Sequence, residues 1–116
     1  MEKVYKILDF EYREEELNSK NEIETVVKII PEIQLVGMDL LKYKQLWNRF
    51  VLTTDYVNFS SPLFSEMVLF PNELKEGKIK IKDFDALDEL IDFCQDVMEK
   101  KDKAQPNRKK STLIEE

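Results

Sequence analysis

Ile23-Glu24-Thr25-Val26-Val27-Lys28-Ile29-Ile30-Pro31 is the stretch on which the fold turns. Read with a period of two, Ile23, Thr25, Val27 and Ile29 share one face of a strand. Read with a helical period, Ile23, Val26, Val27 and Ile30 form a stripe, and Ser19 with Glu22 has the spacing of a capping box. Five of the eight residues before the proline are Ile or Val, whose stiff branched side chains suit a pleated surface. The strand reading follows, and Pro31, with no N–H to give to a ladder, is expected to end it.

Upstream, Val4 to Tyr12 also reads as a strand. Val4, Leu8, Phe10 and Tyr12 fall on one face and Tyr5, Ile7, Asp9 and Glu11 on the other, with Lys6 interrupting the apolar side. Arg13 to Asn21 is a charged connection ending in the turn-like cluster Asn18-Ser19-Lys20-Asn21. The two strands are therefore expected to form an antiparallel hairpin with a long loop.

Downstream, helices take over. Leu40, Tyr43, Trp47, Phe50 and Val51 recur at helical spacing within Met38 to Leu52, with Lys42, Gln45, Asn48 and Arg49 on the polar side. Thr53 to Ser61 is expected to be a loop carrying Tyr56 and Phe59. Ser61-Pro62 has the look of a helix entrance, opening a short helix to Leu69, with a strand over Met67 to Phe70 as the alternative. Lys78-Ile79-Lys80-Ile81-Lys82 alternates strictly and reads as a short edge strand guarded by outward lysines. From Asp85 to Lys101, Leu87, Leu90, Ile91, Cys94, Val97 and Met98 define one apolar stripe. Asp83 is placed to cap that helix, and Lys100 and Lys101 lie at its negative end. Ala104 to Glu116 reads as a flexible basic tail.

The expected architecture is thus a single α+β domain over residues 1–103, followed by a tail over 104–116. A β-hairpin and a short edge strand would pack against two main amphipathic helices. At 116 residues, one hydrophobic core suffices without a disulfide or metal. A single cysteine, Cys94, excludes an internal disulfide and suits a reducing compartment. With no secretory-type leader at Met1 to Tyr5 and no long apolar run, a cytoplasmic location without membrane contact is expected.

The residue inventory narrows the chemistry. There is no histidine, so a neutral-pH general base, the commonest metal ligand and any Ser-His or Cys-His pair are all missing. Gly37 and Gly77 are the only glycines, too few for a phosphate-cradling loop. Carboxylate-only catalysis stays open in principle and would need convergent acids in a pocket. The expectation is a non-enzymatic protein with no cofactor and no metal site.

Charge is uneven. Residues 1–99 carry 12 basic and 21 acidic side chains, a net of −9, while residues 100–116 carry 6 and 3, a net of +3. An acidic body repels nucleic-acid phosphates, so the expected partner is another protein with a basic surface. The candidate docking residues are Asp85, Asp88, Asp92, Asp96 and Glu99, spaced three or four apart on one helix face, with Tyr56 and Phe59 in the expected aromatic loop. The plainer reading of the acids is a solvated face, and Cys94 reads as a small core side chain. An inhibitor or immunity-type protein capping a basic target is one function of this kind. An assembly factor, a chaperone or a structural subunit is the alternative. The small acidic composition and the helix Leu87-Asp88-Glu89-Leu90-Ile91-Asp92-Phe93 are similar to small phage accessory proteins, tail assembly chaperones among them, which would imply an assembly role.

Overall fold

The computed structural model describes residues 3–53, 56–102 and 113–115. Strand β1 spans Tyr5–Leu17 and β2 spans Ile23–Leu35. Helix α1 covers Leu40–Thr53 and α2 covers Tyr56–Met67. A short strand β3, Val68–Phe70, a one-turn helix α3, Asn72–Lys75, the long helix α4, Phe84–Asp102, and a last strand β4, Leu113–Glu115, complete the chain. The sheet is antiparallel with order β3-β2-β1-β4. This is the α+β class read from the sequence.

The hairpin is longer than its sequence suggested. Arg13 to Leu17 is strand rather than loop, and the turn is confined to Asn18–Glu22. Asn18 builds that turn. Its side-chain oxygen accepts from the N–H groups of Lys20 and Glu22 at 2.8 and 3.0 Å, and its own N–H donates to the Glu22 carbonyl at 2.9 Å. Asn21 sits at a φ of 60°, a conformation asparagine tolerates better than most residues. What looked like a loop-forming charge run is held extended by cross-strand pairing. Lys28 lies 2.7 Å from both Glu14 and Glu16 on the same face of the ribbon.

Nor does Pro31 end β2. Every pair from Tyr5↔Leu35 to Leu17↔Ile23 keeps one register, and the single position missing from the ladder is Asp9 opposite Pro31. Asp9 adopts a φ of 53° there. The proline's missing N–H therefore falls where no ladder bond is made. The irregularity also changes which side chains face inward. Tyr5, Ile7, Ile33 and Leu35, all odd-numbered, are buried below it, whereas Phe10, Tyr12 and Ile30, all even-numbered, are buried above it. This is why no single alternating face accounted for Val4 to Tyr12.

Lys78 to Lys82 is not a strand. Its alternation is real, with Ile81 buried, Ile79 half-buried and the three lysines exposed, but the N–H groups of Lys78 and Ile79 donate back to the Glu73 carbonyl at 2.8 and 3.0 Å. The ladder partners of the hairpin are instead β3, the alternative read for Met67 to Phe70, and β4. Leu113–Glu115, within the expected tail, pairs with Tyr5–Ile7; residues 103–112 and Glu116 lie outside the described residues.

The core forms one cluster. The inner face of the sheet meets Leu63, Phe64 and Met67 of α2 and Leu90, Phe93, Cys94 and Val97 of α4. Tyr43, Trp47 and Phe50 of α1 pack on it edge to face, with ring centroids 6.2 and 5.6 Å apart. α4 begins as read from the sequence. One oxygen of Asp83 accepts from the N–H groups of Asp85 and Ala86 at 3.1 and 3.3 Å, an N-cap arrangement. Its other oxygen accepts the Arg13 N–H from the open edge of β1 at 2.9 Å. One carboxylate thus fastens the hairpin to the start of the helix, and the Arg13 bond is the chief reason its pKa lies below the ordinary aspartate value.

Two outcomes follow for stability. Asp9→Val should cost about 1–2 kcal/mol, because a branched residue is forced into the left-handed region, while Asp9→Gly should equal or exceed the parent in urea unfolding. Asp83→Ala should cost about 1 kcal/mol at neutral pH. Since the folded pKa is depressed, that contribution is complete above the unfolded aspartate value of about 3.9 and fades as pH falls through the folded one. The two urea midpoints should therefore converge in acid.

Candidate protein-binding surface

The acidic ladder of α4 holds its helical phase but not its exposure. Asp85 and Asp88 are exposed, Asp92 and Glu99 are half-buried, and Asp96 is only 5% exposed. Toward the helix C-terminus α4 meets α1 and the residues before it. The Met38 N–H donates to the Met98 sulfur at 3.3 Å, and Tyr43 sits within the field of Asp96 and Glu99. Burial is the main reason the Tyr43 pKa is pushed up to about 12, and Cys94 and those two acids push it the same way. Of the five acids, Asp85 and Asp88 are exposed, Asp92 and Glu99 are partly accessible, and Asp96 is buried.

Tyr56 and Phe59 do not lie in a loop. The backbone is helical from Tyr56, because Pro62 sits inside α2 rather than at its entrance; a proline there forgoes one ladder bond without ending the helix. The side chains of residues 53–59 lie outside the described residues.

Exposed apolar side chains lie on α1, where Leu41, Val51 and Leu52 face water, and along one face of the distal hairpin. From Arg13 to Ile29 no residue is buried. The parity change at Asp9 and Pro31 turns Leu17, Ile23, Val27 and Ile29 to the outer face, where they are 68, 71, 57 and 53% exposed. Leu17 and Ile23 are direct cross-strand partners, and Glu11, Arg13 and Glu15 stand opposite Ile29, Val27 and Thr25. Residues 11–24 contain six acids against Arg13 and Lys20. At about 3.3 Å per residue each 13-residue strand runs to about 40 Å, a large share of the 51 Å longest dimension. The result is a two-stranded arm with an aliphatic stripe in an acidic setting. The signal was present in Ile23-Thr25-Val27-Ile29, whose alternation identified a strand without saying which face meets water.

A polar recess of about 640 Å³ lies where the arm meets α4, lined by Arg13, Glu14, Glu15, Thr25, Lys82 and Asp83. It brings three carboxylates together, yet Asp83 is spent on three backbone N–H groups and is acidified, and Glu14 pairs with Lys28. A general acid needs the opposite shift. Among the described residues no group of three or more His, Cys, Asp or Glu is disposed to hold a metal ion, and no helix is long and apolar enough to cross a membrane.

Cys94 is fully buried in the core, and burial pushes its thiol pKa well above the ordinary range. The folded protein should therefore resist a thiol-reactive disulfide reagent, with labelling appearing only as urea unfolds the chain. Compared with known proteins, the chain matches no family model, no curated protein and no solved structure.

Proposed function

We propose that the protein is a non-catalytic binding protein whose hairpin arm docks on a partner protein with a basic and apolar surface. One observation supports this above the others: Leu17, Ile23, Val27 and Ile29 share one exposed face of a ribbon that no other element among the described residues covers. A soluble domain gains nothing in stability from holding four large aliphatics in water, and a contiguous exposed patch is the usual mark of an interaction site. The surrounding glutamates favour a partner carrying Lys or Arg and disfavour a nucleic acid. Among the described residues no strand pairs with the distal edge of β1, so an extended partner segment could add to it as a strand.

The non-catalytic part of the reading rests on the missing histidine, the two glycines and the acidified, occupied state of Asp83. A cytoplasmic setting is part of the proposal and rests on the single, buried thiol. Between the two versions of protein binding, an assembly role is favoured over an inhibitor that caps its target with α4. The long projecting arm suits a contact between subunits, whereas the α4 ladder is interrupted by the burial of Asp96.

Cross-linking followed by mass spectrometry in the native host tests this. The triple variant Leu17→Ser, Ile23→Ser, Val27→Ser alters only exposed positions and should keep the far-ultraviolet dichroism of the parent. Its recovery of the cross-linked partner should fall by on the order of tenfold or more, while Asp85→Lys with Asp88→Lys should retain it. Equal recovery by the arm variant would remove the arm from the interface.

A further inference from the structure

A second surface on the same chain complements the arm. Between α2, α3, the Lys78–Lys82 segment and the first turn of α4 lies a groove of about 540 Å³. Phe64, Leu74, Ile81 and Leu87 form a buried apolar floor, and Ile79 and Phe84 form its more open wall, with Phe84 61% exposed. Lys75, Lys80 and Lys82 stand around it. Lys75 donates to the Ser65 carbonyl at 2.5 Å; Lys80 and Lys82 are exposed and have no ion-pair partner among the described residues. In a chain of net charge −6 this is an apolar hollow with a basic collar.

The arm tip has the opposite character. Leu17 and Ile23 project side by side from one face, and residues 14–24 hold five glutamates and one lysine, with Glu14 and Glu16 paired to Lys28 and Glu15, Glu22 and Glu24 left to face a partner. A copy cannot fold its own tip into its own groove. Arg13 is fixed to Asp83 beside Lys82, and Leu17 lies four residues further out, about 13 Å along a paired and therefore stiff ribbon.

We propose that the chain associates with itself head to tail, the Leu17–Ile23 tip of one copy seated in the lysine-collared groove of the next, with the tip glutamates facing Lys75, Lys80 and Lys82. This rests on the reading of the arm as a docking element and names its partner. Charge complementarity selects a second copy: the groove is basic where the tip is acidic, and its hollow is of a size to take two aliphatic side chains. Arm and groove are different surfaces, so the contact is heterologous. Each copy has one of each to offer, and assembly continues until a ring closes or a filament grows.

Sedimentation velocity of the full chain over a range of concentrations is the test. The weight-average mass should rise past that of a dimer with concentration and fall with added salt, as an ion-rimmed contact requires. Leu17→Ser with Ile23→Ser, and Lys80→Glu with Lys82→Glu, change exposed residues and should each give a folded monomer by dichroism. Mixing these two variants should give a dimer that grows no further, because one supplies an intact arm and the other an intact groove. A wild-type chain that stays monomeric up to about 1 mM, a contact weaker than about −4 kcal/mol, would overturn the proposal. So would assembly that survives both double variants. Titration with sodium decanoate separates one rival: uptake by a monomeric wild type, lost in Lys80→Glu with Lys82→Glu, would make the groove a site for a small anionic amphiphile. If the chain is monomeric but the arm variant still loses its cross-linked partner in the host, self-association alone falls; if that partner is also retained, the reading of the arm falls with it.

Discussion

A strand pair can bury only one face on a core, and the irregularity at Asp9 and Pro31 decides which face that is on either side of it. A period of two admits no partial adjustment: slipping the parity by one sends every side chain to the opposite side. With unbroken alternation from Tyr5 and Ile7, Phe10, Tyr12 and Ile30 would point to water. The local change of φ at Asp9 returns them to the core. The same change sends Leu17, Ile23, Val27 and Ile29 outward, so core and arm are two consequences of one backbone feature. A proline opposite it costs no ladder bond, which makes the pairing of Asp9 with Pro31 mutually consistent.

The arm is then tied down at one place beyond the core. Asp83 serves both as the cap of α4 and as an acceptor for Arg13 on the open edge of β1. Because these are backbone donors, the arrangement depends on the path of the chain and not on which side chains surround it. It leaves the last four residues of β1, the turn and the start of β2 projecting past the point of attachment. Lys28, bridging Glu14 and Glu16 at 2.7 Å, tempers the repulsion among the arm's glutamates, and those hydrogen bonds hold the lysine's pKa above its ordinary range. All three groups are substantially exposed, so the contribution is to straightness and register more than to global stability.

Charge is distributed by element. The acids of α4 descend from solvent into the structure, whereas those of the hairpin stay in water around an aliphatic stripe. The lysines of the Lys78–Lys82 segment surround an apolar hollow on the body. One chain thus carries both an acidic apolar projection and a basic apolar recess. In the recess beside α4, Asp83 is already committed to three N–H groups.

The residues alone determined the kinds of element and the chemistry that is missing. Ile- and Val-rich alternation specified strands, the apolar stripe of Leu87 to Met98 specified the long helix, Asp83 announced its cap, and the absence of histidine removed most catalytic arrangements. These are local or compositional properties, and they need no knowledge of what packs where. Tertiary structure decided the rest. Arg13 to Leu17 reads as a loop until Lys28 and the strand opposite hold it extended. Lys78 to Lys82 reads as a strand but finds no ladder, because its first N–H groups turn back to Glu73. Whether Asp96 or Ile23 meets water depends on what packs beside α4, Tyr43 of α1 among it, and on the shift at Asp9 that turns Ile23 outward. Exposure is a relation between distant parts of the chain, and a one-dimensional pattern supplies the face without saying what lies against it.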